Sequence, residues 1–298
     1  MADSSQKPRR VVSARRIVAL GTVAATAFAT AASTSPAGAA GAGPADHLIL
    51  AAGEGEGEAA AVGEGGGEGE GGGGASGGEG EGEGAVAGLP AEVAFLSDLG
   101  FMTGHLRAGM ALYEQGTLDE AKTHMGHPIE EKYDAVAGEL EARGFGGLRD
   151  QIVALSAAAE SEADVGEVRP LFDTVIATVE EVRAASPGGA RDQLRALAAL
   201  TRIAAQEYEV AIAEDGSVGN LHEYQDSWGF LRTVEVEAGQ FAESGDAAIA
   251  QAGANILEQI RATDAAFGDL SGAGIPLPDP SIIYGAAARM ELAALAAN

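Results

Sequence analysis

From Leu89 to the end of the chain, apolar residues recur every three or four positions, and Gly, Pro or capping residues break the run at helix-length intervals. Strand-like alternation is scarce beside this pattern, so the expected fold is all-α. Helices are expected from about Pro90 to Gly116, from Thr117 to about Gly126, and from Pro128 to about Arg143. Thr117-Leu118-Asp119-Glu120 has the form of a capping box. Pro128 suits the first position of a helix, and Gly126-His127-Pro128 is expected to interrupt the helix before it. Further helices are expected over 148–163, 165–185, 189–213, 220–243, 246–267 and 281–297. Short connections favour antiparallel neighbours, hence an antiparallel helical bundle.

What precedes Leu89 is of another kind. Residues 1–39 read as an export signal: Lys7, Arg9, Arg10, Arg15 and Arg16 lead into an apolar run from Ile17 to Ala32 and a small-residue exit at Ala37-Gly38-Ala39. Paired arginines permit twin-arginine as well as general export. The run is short and rich in Ala and Thr, which suits a cleaved peptide better than an anchor. Residues 40–85 read as a disordered acidic tether; between Gly53 and Gly84 lie nine glutamates in a glycine background that cannot bury a core. Residues 86–298 are then the helical domain, with halves at 86–186 and 187–298.

Charge and cysteine content exclude several functions. Loss of the signal's five basic residues and one acid takes the net charge from −27 to −31. Such a chain is repelled by nucleic acid and anionic membrane surfaces and attracts cations or basic partners. With no cysteine, disulfides, zinc–thiolate sites, iron–sulfur clusters and covalent c-type haem are out of reach. Any metal must be held by His, Met, carboxylate or carbonyl groups. No nucleophile-elbow serine and no phosphate loop is present, so the expectation is a binding protein rather than an enzyme.

Three of the five histidines fall in the stretch GHLRAGMALYEQGTLDEAKTHMGHPIEEKYD, residues 104–134. In a hairpin turning at Gly116-Thr117, equal rise on both sides brings His124 and His127 within about one helical turn of the level of His105. Met102 shares a face with His105, and Glu130 and Glu131 share one with His127. The candidate metal ligands are therefore His105, His124, His127, Glu130, Glu131 and Met102. Imidazole suits zinc, copper, iron and nickel; carboxylate shifts preference towards iron or manganese, and thioether from Met102 or Met125 towards copper(I). A bland reading stands beside this one, with Glu130 capping its own helix and the histidines solvated.

HPIEEKY, carrying His127 and Glu130, resembles the His-x-x-Glu motif of the imelysin-like family, exported helical proteins associated with bacterial iron acquisition. That resemblance implies two four-helix bundles, a metal-ligand role for His127 and Glu130, and iron or copper as the ion. The family's usual Gly two positions before the His is Met125 here. A faint internal echo agrees with a duplicated architecture: YEQGTL (113–118) and AEDGSV (213–218) lie 100 residues apart, each followed by a His-bearing helix start.

In the second of these, Asp215-Gly216 marks a turn and Asn220 is placed to cap a helix. His222 and Asp226 are spaced i,i+4 with Glu223 between them, but the His-Glu-x-x-His of zinc hydrolases needs a second His where Asp226 stands. Tyr224, Trp228 and Phe230 read as core aromatics. Tyr208, Glu209 and Glu223 are candidates for a further acidic site, or plain surface charge. The functional expectation is an exported protein that handles iron or copper and passes it to a membrane transporter or another exported protein. The alternatives are a helical scaffold with an acidic tether and, with little aromatic support, a haem binder using His105 or Met102.

Overall fold

The structure, a computed structural model, describes residues 88–297. The expected export signal, the tether and His47 lie outside the described residues. Those residues form helices α1 (Ala91–Gln115), α2 (Leu118–His127), α3 (Tyr133–Ala142), α4 (Leu148–Glu160), α5 (Val165–Ala184), α6 (Gly189–Ala211), α7 (Leu221–Ala242), α8 (Ala247–Ala262) and α9 (Ser281–Ala296). A π-helical turn, Pro128–Lys132, joins α2 to α3, and a 3₁₀ turn, Thr263–Ala266, follows α8. Among the described residues there is no strand, only an isolated antiparallel bridge between Ile212 and Val218. The fold is all-α, and none of these helices is long and apolar enough to cross a membrane.

Local chemistry explains most boundaries. α1 ends where Gly116 takes φ 80°, a left-handed conformation that costs a glycine little. Its terminal carbonyls are met by main-chain N–H groups: Gly116 donates to Tyr113 at 3.1 Å and Thr117 to Leu112 at 3.0 Å. The capping box expected at Thr117 does not form, since the Thr117 side chain makes no capping hydrogen bond and its N–H already closes the turn. Asn220 does cap α7, its side chain accepting from His222 N at 3.2 Å. Pro128 does not separate two helices as expected. Having no N–H to give to the carbonyl one turn back, it widens the helix into the π turn instead.

The apolar core falls into two clusters. One is lined by α1, the continuous α2–α3 unit, α4 and α5, with Leu96, Met102, Met125, Leu140, Ile152 and Val175 at its centre. The other is lined by α6, α7, α8 and α9, with Tyr208, Phe230, Ile256 and Met290. α1 faces both: Met102 packs into the first cluster and its neighbour Phe101 into the second. Trp228 of α7 packs against both as well. Each fully buried Leu, Met or Phe contributes about 1.5–3 kcal/mol of burial free energy, so this seam is firmly held.

Glycines set how close the helices come at the seam. A Cβ on Gly229 of α7 would lie 2.3 Å from the carbonyl oxygen of Gly104 on α1, and one on Gly104 would lie 3.0 Å from the Cα of Phe230. A Cβ on Gly109 of α1 would lie 3.1 Å from the Ala121 carbonyl and 3.3 Å from His124 Cβ on α2. α1, α2 and α7 therefore meet backbone to backbone, at the level where the histidines sit.

Candidate metal centre

Three helices deliver the donors. α1 supplies His105, one residue after Gly104. α2 supplies His124 and His127, and the π turn supplies Glu131. α7 supplies His222, Gln225 and Asp226, one turn before Gly229. Helical spacing puts His222 and Asp226 on one face of α7, looking into the angle between α1 and α2. Four of the five histidines of a 298-residue chain meet there.

Asp226 is the hub. Its Oδ1 lies 2.6 Å from His105 Nδ1 and 2.8 Å from His124 Nδ1, and its Oδ2 lies 3.1 Å from His222 Nε2. His222 Nε2 is in turn 3.2 Å from His127 Nδ1, which is 3.0 Å from Glu131 Oε1. Glu131 Oε2 is 3.6 Å from His105 Nε2. His124 and His222 stack with ring centroids 4.4 Å apart and planes 9° from parallel. His105, His124 and Asp226 are buried to 1% exposure or less, whereas His127, His222 and Glu131 keep 15%, 29% and 22% of their side chains in contact with solvent.

Several of these approaches are close without being hydrogen bonds. Neither ring nitrogen of His105, nor Asp226 Oδ2, has a hydrogen-bond partner, despite separations of 2.6 and 3.1 Å to their neighbours. Lone pairs and N–H vectors that converge off-line on common space are what ligands of one ion do. Two donors at about 2.1 Å from an ion subtend about 3.0 Å at a right angle and about 3.4 Å at the tetrahedral angle, with that ligand distance typical of imidazole and carboxylate. The buried group His105–His124–Asp226 can hold a metal ion, as can His105–His127–Glu131 and His127–His222–Asp226.

Electrostatics agree with the geometry. Burial, then the neighbouring charges of His105 and His222, push His127 down to about 3. Burial pushes His222 down to about 4 against the pull of Asp226. These two imidazoles therefore stay neutral, with lone pairs to offer, well below neutral pH. Burial also works to lower His124, but the charge and hydrogen bond of Asp226, helped by Gln225, outweigh it and raise that pKa. The Asp226 carboxyl is penalised by burial, yet His105 and His124 hold it far below the usual carboxylate range. Perturbed groups of this kind concentrate at functional sites.

Gln225 completes the shell. Its Nε2 donates to the Leu270 carbonyl at 2.9 Å, which fixes the amide so that its Oε1 faces His124 Nε2 at 2.8 Å. His124 Nε2 then donates to Gln225 and Nδ1 to Asp226, which is what raises its pKa, and Nδ1 is the atom whose proton an ion would replace. An outer oxygen that fixes the tautomer of an imidazole is the usual companion of a ligating histidine.

Of the six residues singled out from sequence, the structure brings together His105, His124, His127 and Glu131. Glu130 is exposed and belongs to none of the donor groups. The π turn explains the change of neighbour: with i→i+5 bonding each turn holds an extra residue, so position i+4 from His127 falls nearer its face than i+3. Met102 is 1% exposed within the apolar core and is no donor to the cluster. His222 and Asp226 were readable as an i,i+4 pair but not as partners of the hairpin. The 100-residue echo was the one signal that linked the two segments. Tyr208, Glu209 and Glu223 do not converge: Tyr208 donates to the Ala266 carbonyl, Glu209 accepts from Tyr284 at 2.6 Å, and Glu223 accepts from Asn220 at 3.3 Å. No family model, curated protein or solved structure matches this chain.

Proposed function

We propose that this protein is an exported metal-handling protein that takes up a transition-metal ion in the cluster formed by α1, α2 and α7. The observation that carries the reading is the gathering of His105, His124 and His222 around the Asp226 carboxylate, with His127 beside His222. These form groups of donors close enough to share an ion, some of them out of hydrogen-bonding alignment. Imidazoles with one or two carboxylates and no sulfur favour iron(II) first, with copper(II) and zinc as competitors; with Met102 and Met125 both in the apolar core, copper(I) loses its support. The assignment to export rests on the basic-then-apolar leader at 1–39, and the iron-handling role is the one that the His127-x-x-Glu130 resemblance implies. The reading assigns capture and delivery, to a membrane transporter or another exported protein, without turnover.

The test is calorimetric titration of the full chain, produced without a histidine tag, with iron(II), copper(II), zinc(II) and manganese(II). A His105→Ala/His127→Ala/Asp226→Asn variant is titrated in parallel and its helicity checked by circular dichroism. Saturable binding in the parent and its loss in a folded variant are expected. Equal binding by both proteins would move the ion to the acidic chain surface and end the proposal.

A further inference from the structure

Asp226 does not present its two oxygens to one set of imidazoles. Oδ1 faces His105 Nδ1 and His124 Nδ1, at 2.6 and 2.8 Å. Oδ2 faces His222 Nε2 at 3.1 Å, which leads on to His127 Nδ1 and Glu131 Oε1 at successive separations of 3.2 and 3.0 Å. The donors assemble in groups of three, and none of those groups holds both His124 and His222. We infer that the cluster holds two metal ions, bridged by the Asp226 carboxylate: an inner ion on His105, His124 and Oδ1, and an outer ion on His127, His222 and Oδ2. This rests on the metal-handling reading above and deepens it.

The nitrogens and oxygens left over fit the same division. If His124 and His105 ligate through Nδ1, each has an Nε2–H to place. The first faces Gln225 Oε1 at 2.8 Å and the second lies 3.6 Å from Glu131 Oε2. The Gln225 oxygen behind His124 is the arrangement that orients a metal-bound histidine. Both bridging oxygens belong to a carboxylate paired with imidazoles, which can give up a proton to an incoming ion, and not with a lysine or arginine. Two-metal centres hold their ions about 3.5–4 Å apart, a span one bridging carboxylate covers. A single ion in either group of three would leave the other imidazole pair without a ligand role.

The division also orders the two ions in depth. The inner donors are buried to 1% exposure or less, and the outer ones keep 15–29% of their side chains at the surface. An ion reaches the inner position through the outer one, and a chelator strips the outer ion first.

The test counts ions per chain after gel filtration of the iron(II)- or zinc(II)-loaded full chain, beside His124→Gln, His222→Gln and the double variant, all checked for helicity. Two ions in the parent, one in each single variant and none in the double variant are expected, with biphasic release to a chelator in the parent only. Ions that persist unchanged in the double variant belong to the acidic surface and are subtracted. One site-dependent ion in the parent, lost alike in either single variant, would overturn the two-ion centre and leave the metal-handling reading standing. No site-dependent ion in a folded parent would overturn both.

Discussion

Asp226 Oδ1 lies 2.6 Å from His105 Nδ1, yet the imidazole does not donate to it. The charge of His105 and His124 holds this buried carboxylate ionised, and in the metal-handling account a cation bound by all three takes over that role. Replacement of Asp226 by Asn is therefore expected to weaken metal affinity by more than the about 10–100-fold typical of an outer-shell partner. In metal-free protein the same change breaks the buried pair with His124 and costs about 3–5 kcal/mol, read from urea unfolding. Unchanged affinity in Asp226→Asn would remove the hub from the account.

The close crossing of α1 and α7 makes a second prediction. Gly229→Ala places a methyl group 2.3 Å from the Gly104 carbonyl oxygen, where only backbone can yield. A loss of about 1–3 kcal/mol is expected from overpacking, with weaker metal binding because His105 and Asp226 move apart. Gly239→Ala, ten residues along the same helix, meets nothing within 4 Å. It is expected to raise stability by about 0.5–1 kcal/mol through helix propensity and to leave metal binding alone. Equal effects at the two positions would deny the crossing its special role.

Gln225 touches no ion in this account; it positions His124. Gln225→Leu keeps the volume and removes the acceptor at His124 Nε2. Affinity is expected to fall about 10–100-fold while the number of bound ions stays the same, whereas Gln225→Glu, which keeps an oxygen there, retains most of it. Loss of a whole equivalent in Gln225→Leu would make the residue a ligand instead.

Acid is expected to destabilise the metal-free protein well above the range of ordinary carboxylates. His127 is pushed down to about 3 and His222 to about 4, against about 6.5 in an unfolded chain. Between those values the unfolded state binds more protons, so stability falls as pH drops through about 6.5 and the loss levels off near 3–4. Each of the two contributes up to a tenfold change in the folded-to-unfolded ratio per pH unit. His124 acts in the opposite sense: its raised pKa adds stability below about 6.5 that is lost as pH rises through its folded value. One such group offsets only part of the effect of two. Urea midpoints measured in chelator from pH 7.5 to 4 should therefore decline, and the decline should flatten in His127→Ala/His222→Ala. A flat profile in the parent would contradict the buried neutral imidazoles.

Much of the fold was legible because helices announce themselves locally. Pro90, Gly116, Asn220 and the Pro280-Ser281 junction mark boundaries through chain stiffness, left-handed backbone or side-chain capping, all properties of a few adjacent residues. The hairpin half of the site was legible for the same reason, since spacing about Gly116 places His105 level with His124 and His127. The other half depends on α7, about 100 residues away, and on a helix crossing fixed by the absence of Cβ atoms at Gly104 and Gly229. No local pattern encodes that. The choice between Glu130 and Glu131, both on the His127 face by spacing, is a smaller case of the same kind: Pro128 makes a π turn there, which favours the four-residue spacing.

The most direct measurement is X-ray absorption at the metal edge of the full chain loaded with iron(II) or zinc(II) and freed of excess ion. The account predicts a first shell of nitrogen and oxygen at about 2.0–2.2 Å with outer-shell scattering from about two imidazoles per ion, and loss of the imidazole signal in His105→Ala/His127→Ala. A shell of oxygen alone, the same in parent and variant, would place the ion on surface carboxylates and contradict the centre described here.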